Sequence, residues 1–132
     1  MLIEFSVSNF LSFDKKETFS MAAGKARKYY ERIFSDKKLK LTKCEVILGA
    51  NASGKSNLVS AFQFMQNMVL DGLPRGFSNK YYRLNPEKKN APSDFEIKIL
   101  CDSKVFTYGF SIVLLTERLR NHTKKFLNRK EF

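Results

Sequence analysis

The sequence contains no Trp, one His, two Cys and three Pro in 132 residues, and acids are scarce: 13 Asp and Glu stand against 24 Lys and Arg. Each scarcity excludes something. Cys44 and Cys101 lie far apart, with neither a CxxC pair nor a neighbouring His. That rules out a disulfide scaffold or zinc finger and reads as two buried, reduced thiols of a cytoplasmic protein. His122, in NHT on a basic stretch, reads as a solvated side chain rather than a switch or a base. No apolar run approaches the roughly 20 residues of a membrane helix. The opening MLIEFSVSNF has no basic region leading into an apolar one, so it is not read as a secretion signal. Internal repeats and low-complexity segments are also absent.

What remains is one domain's worth of chain with a modest core. The hydrophobic fraction is 43%, and with 13 Phe the core is expected to be built on Phe. The formal charge of +11 favours an anionic partner such as a nucleotide, a nucleic acid or an acidic protein. That charge gathers in residues 15–43, 75–89 and 118–130.

Hydrophobic periodicity divides the chain. Residues 2–7 alternate, with Ile3, Phe5 and Val7 predicted to face a core. Residues 18–21 fit a returning strand, and the basic residues 24–40 read as a loop with at most a short helix. The run LTKCEVIL, residues 41–48, ends apolar directly before a glycine, as central parallel strands do. Leu58, Ala61, Phe62, Met65, Met68 and Val69 share one face of a helix predicted over 57–70, ended by Gly72 and Pro74. Residues 71–92 form a long connection carrying the aromatic-basic patch KYYRL. Residues 95–100 and 105–114 read as a β-hairpin around CDSK. Leu115, Leu119, Thr123 and Phe126 fall at helical intervals in a basic tail.

Between the apolar run and the helix lies GANASGKSN, residues 49–57. Gly49, Gly54, Lys55 and Ser56 satisfy G-x-x-x-x-G-K-[ST], in the strand–loop–helix setting this pattern requires. Two glycines let the backbone approach phosphates, and successive N–H groups make an anion nest. The helix N-terminus adds positive potential. The predicted nucleotide-binding residues are Gly49, Ala50, Asn51, Ala52, Ser53, Gly54, Lys55, Ser56 and Asn57. Lys55 would reach the β- and γ-phosphates, and the Ser56 hydroxyl would be the Mg²⁺ ligand.

GANASGKSN preceded by NFLSF resembles the SMC/RecF-like branch of the ABC ATPases. More closely, the chain resembles the N-terminal part of bacterial AAA-family ATP-binding proteins related to abortive-infection and OLD-type ATPases. The resemblance runs from MLIEFSVSNFLSF through KCEVILGANASGKSNLVSAFQFM to YYRLNPEKKNAPSDFEIKILCDSKVFTYGFSI, about residues 1–112, and fades after Ile112. It implies an α/β P-loop NTPase fold: the N-terminal lobe of an ABC-type head, with an antiparallel β-subdomain, assigned to 1–115; the basic amphipathic tail read from the spacing, 116–132, lies outside the resemblance. It also implies ATP and Mg²⁺ as ligands and phage defence or DNA transactions as the setting. The resemblance puts Asn9, Phe10, Leu11, Ser12 and Phe13 near adenine and ribose, although core packing is the favoured reading of Phe10 and Phe13.

Such proteins carry a second lobe with an Asp-Glu pair after an apolar strand, a signature loop and a switch His. Here the run ending at Leu115 is followed by Thr116 and Glu117, without that pair. Glu117 is therefore a poor candidate base. The expectation is an incomplete lobe, whether fragment, truncated product or remnant. It would bind ATP with weak or no hydrolysis and would self-associate or take a partner supplying the missing lobe. The alternative is a non-catalytic basic protein that holds nucleic acid or a protein partner, with KYYRL stacking on bases. A small kinase or GTPase fits less well, since no NKxD is present.

Overall fold

The computed structural model describes residues 1–24, 29–36, 39–72, 76–114 and 124–130, the last of these by backbone alone. Strands β1 (Leu2–Ser8) and β2 (Glu17–Ser20) are followed by a single 3-10 turn, Tyr30–Arg32. Next come β3 (Ile33–Asp36), β4 (Leu39–Thr42) and the helix α1 (Lys55–Leu70). A second 3-10 turn, Pro86–Lys89, leads to β5 (Ser93–Cys101), β6 (Lys104–Ile112) and β7 (Lys124–Lys130). Five strands form one sheet in the order β2-β1-β5-β6-β7, with every pairing antiparallel. β3 and β4 form a separate antiparallel pair.

The sheet has one apolar and one polar face, as antiparallel sheets often do. Val7, Phe95 and Phe110 stand in register across β1, β5 and β6, as do Phe5, Ile97 and Tyr108. Helix α1 packs on this face through Ala61, Phe64, Met65 and Met68. Phe64 is the centre of the aromatic core: its ring meets those of Phe10, Phe77, Phe95 and Phe110 at centroid distances of 4.8 to 5.9 Å. The opposite face carries Ser8, Asp94 and Ser111 in one row, and Lys98 paired with Glu4 at 2.7 Å in another.

β1 departs from strict alternation. Its register against β5 shifts between Leu2 and Glu4, leaving Ile3 as the extra residue of a bulge. Leu2 and Phe5 therefore share the face under α1, whereas Ile3 joins Leu41, Leu100 and Val105 in a second cluster on the other side. Ile3, Phe5 and Val7 are all buried as predicted, but not against the same neighbours. The second cluster is where β4 docks. Thr42 N–H donates to the Met21 carbonyl at 2.8 Å and Ala23 N–H to that of Lys40 at 2.8 Å.

Several expectations are corrected. The strand predicted over 41–48 stops at Thr42, and Val46, Ile47 and Leu48 are 75%, 46% and 87% exposed. A parallel strand buried on both faces needs a strand on each side, and among the described residues no strand lies beside residues 43–48. The stretch 24–40 contains β3 and part of β4 rather than only a loop. Residues 124–130 form a strand on the open edge of β6, not a helix; a ladder of backbone hydrogen bonds outweighs a few apolar residues at helical spacing. The boundary at 115/116 and the rest of the tail lie outside the described residues. Cys44 and Cys101 are both exposed, one in the coil before the loop and one at the end of β5. On α1 the buried stripe turns toward Phe64, leaving Val69 54% exposed. Among the described residues no helix is long and apolar enough to cross a membrane.

The corner after β1 is fixed by Asn9, which is 1% exposed and left-handed at φ 48. Its Nδ2 donates toward the carbonyls of Lys88, Ala91 and Pro92 at 3.0, 3.0 and 3.2 Å, and its Oδ1 accepts from Tyr82 N–H at 3.1 Å. Phe10 behind it is fully buried, and Phe10 and Phe13 close a tight backbone pair.

Two stability measurements follow from this packing. Phe64→Ala is expected to cost about 3–5 kcal/mol in urea unfolding, as truncations of large core aromatics do. Val69→Ala is expected to stay near ~0.5 kcal/mol. Equal costs would place the helix stripe wrongly. Asn9→Ala is expected to cost at least ~3 kcal/mol, because several backbone groups lose their partner at once. Asn9→Asp should be no better, since a carboxylate would face three carbonyl oxygens. A midpoint unchanged in either variant would contradict this role for Asn9.

Candidate functional site

Helix α1 starts without a side-chain cap. Its N-cap is Gly54 at φ 92, no side chain accepts from its first turn, and that turn contains no acid. Leu58 N–H already bonds the Gly54 carbonyl at 3.0 Å. The amides ahead of it face outward with the helix's positive end uncompensated. The preceding loop bends through two left-handed residues, Ala52 at φ 64 and Gly54. Gly54 is called for by its φ; a Cβ there would also lie 2.9 Å from Ser12 Oγ, which could rotate aside. At Gly49 a Cβ would meet Ser53 Oγ at 2.7 Å, so Ser53 would have to rotate away from its bond with Lys55.

Residues 49–53 wrap around the Lys55 ammonium. Nζ donates to the carbonyls of Gly49 and Ala50, each at 2.6 Å, and to Ser53 Oγ at 3.2 Å. All three partners are neutral, so the lysine's charge is solvated but not cancelled. An incoming phosphate would not have to break an ion pair to reach it. Ser56 is exposed at the first turn of α1, with its carbonyl accepting from Ser60 Oγ at 3.1 Å. A cation carried on a phosphate would meet the Ser56 hydroxyl there, and a neutral hydroxyl oxygen suits Mg²⁺. Among the described residues no group of three or more His, Cys, Asp or Glu forms a cation site of its own.

Beside the loop opens a groove of about 510 Å³. Leu11, Ser12 and Asn57 line one side and residues 79–84 the other. This wall is pinned by Leu11 N–H to the Lys80 carbonyl at 2.7 Å and by Asn79 N–H to the Leu114 carbonyl at 2.8 Å. The bond from Tyr82 N–H to Asn9 Oδ1 adds a third tie, and Arg83 Nε donates to the Asn79 carbonyl at 3.1 Å.

The structure thus brings GANASGKSN and the NFLSF corner together but separates the latter's residues by role. Leu11 and Ser12 face the groove, whereas Asn9 and Phe10 are interior. The aromatic-basic patch KYYRL, read in the sequence as a surface for stacking on bases, lines the groove beside the phosphate-loop motif. No sequence signal marked Asn9 as the anchor of that wall; the readiness of Asn to take a left-handed backbone after a strand was the nearest clue. Glu117 and His122 lie outside the described residues.

Comparison with known proteins covers the same stretch of chain. A family model described as "AAA domain, putative AbiEii toxin, Type IV TA system" matches residues 46–129. The match begins at the exposed apolar run, takes in the loop, α1, β5 and β6, and extends into β7, beyond Ile112 where the resemblance was expected to fade. No curated protein matches the chain. With most of its length covered by that model, the chain belongs to this family of AAA domains, whose members bind nucleotide in an ATPase-like manner.

Proposed function

We propose that this chain is the nucleotide-gripping part of an SMC-like ATPase, binding ATP with Mg²⁺ through Gly49 to Asn57. The observation that carries the reading is the uncapped start of α1 behind a loop folded on an uncancelled lysine. In this arrangement the loop amides and Lys55 take the β- and γ-phosphates, and Ser56 holds the cation. Mg²⁺, when bound, neutralises phosphate charge. The chain's own residues orient the phosphates and exclude competing contacts.

Turnover needs more than a grip. Neither the loop nor the groove contains an Asp or Glu to orient water. We therefore assign this chain weak or no hydrolysis by itself. Exposed Val46, Ile47 and Leu48 support a second copy or a partner that completes the site. The family's description with type IV toxin–antitoxin systems favours a defence role inside the cell over a metabolic one. A second reading, a nucleic-acid binder with an idle loop, draws on the net charge of +11 and the exposed Lys80 and Arg83.

Lys55→Ala is expected to weaken ATP-Mg²⁺ binding by about 10–100-fold in calorimetry, the value of a charge-assisted hydrogen bond. Unchanged affinity overturns the loop assignment. If labelled DNA or RNA binds with steep salt dependence while ATP does not bind, the second reading replaces the first. Phosphate release from ATP by the purified chain is expected at the no-enzyme background. Turnover that Lys55→Ala abolishes would show that the chain already holds a working base.

A further inference from the structure

We propose that the groove between the NFLSF corner and residues 79–84 is the nucleoside end of the nucleotide site, with Tyr81 and Tyr82 supplying the stacking surface for the base. This rests on the reading of Gly49 to Asn57 as the phosphate end. The two regions are continuous. Asn57, the last residue of the loop motif, lines the groove, and Ser12 on the groove wall sits against Gly54. At about 510 Å³ the groove falls within the ~300–1,000 Å³ of small-molecule sites.

Its chemistry suits a base and sugar. Most of the Phe rings of this protein engage one another in the core, yet among the described residues neither Tyr81 nor Tyr82 pairs with another aromatic ring. Both are half-buried on the groove wall. The backbone that carries them is held at Lys80 and Tyr82 by Leu11 and Asn9, so the rings are presented from a fixed frame. Lys80 and Arg83 flank them with positive charge, and Asn57 and Asn79 bring amides that both donate and accept. Stacking is tolerant of base identity because every base has a π-face. The groove therefore distinguishes a nucleotide from bare triphosphate more sharply than it distinguishes ATP from GTP.

The test compares two probes, ATP-Mg²⁺ and inorganic tripolyphosphate-Mg²⁺, by calorimetry on the full chain. Tyr81→Ala with Tyr82→Ala is expected to weaken ATP by about tenfold or more while leaving tripolyphosphate unchanged. Tyr81→Phe with Tyr82→Phe keeps both rings and is expected to retain wild-type ATP affinity, which also controls for loss of fold. ATP and GTP are expected to bind within about tenfold of each other. If the alanine variant binds ATP as the wild type does while Lys55→Ala does not, the groove proposal fails and the loop reading stands. An equal loss for both probes would overturn the proposal too, because the tyrosines would then only brace the loop. If the wild type binds neither probe, the loop reading itself fails and takes the groove with it. Tyrosine-dependent binding of single-stranded DNA without ATP binding would assign the groove to nucleic acid instead.

Discussion

The structure turns on one buried amide. Asn9 leaves β1 in a left-handed conformation and spends its side chain on the backbone of the segment that precedes β5. Without it, the Ala91 carbonyl and the Tyr82 N–H would lose their partner in a part-buried corner, at a penalty of about 1–3 kcal/mol for each group. With it, a connection of about twenty residues between α1 and β5 has a fixed end. The groove wall, the two tyrosines and the contact of Leu11 with Lys80 all depend on that end being fixed.

Behind the corner, one aromatic core serves both the sheet and the site. Phe10 follows Asn9 directly and meets Phe64 of α1, Phe77 of the connection and Phe95 of β5. The ring of Phe64 anchors the helix whose first turn faces the loop. Helix axis and corner are thus set by the same cluster, and the distance between phosphate loop and groove wall is a packing distance. The polar reverse face of the sheet takes no part in this, and the bulge at Ile3 diverts one side chain there to seat β4.

Elements with local signatures were legible in the sequence: alternation in β1, β5 and β6, a 3.6-residue stripe in α1, and glycine spacing in the loop. What stayed illegible was decided by distant neighbours. β7 exists because β6 offers an open edge, and nothing within KKFLNRK says so. β3 and β4 sit in a basic stretch whose composition suggests a loop. The run before Gly49 has the composition of a buried strand, yet burial depends on flanking strands that no described residue supplies. For the site, the phosphate-loop motif was readable because its residues are contiguous. The groove was not, because Asn9 and Tyr82 meet across 73 positions.

The contact between Ser12 and Gly54 joins these two kinds of information. A Cβ at residue 54 would lie 2.9 Å from Ser12 Oγ, a tip that can rotate aside, so the φ of 92 more than this contact calls for glycine where the loop meets the corner. That closeness makes the groove continuous with the helix N-terminus instead of leaving two separate surfaces. On the far side of Gly54, Lys55 is held by the carbonyls of Gly49 and Ala50, and Ser12 follows Leu11, whose N–H is tied to the Lys80 carbonyl. Loop and corner are thus each braced from their own side of this contact, and the exposed run Val46, Ile47 and Leu48 lies outside both sets of bonds.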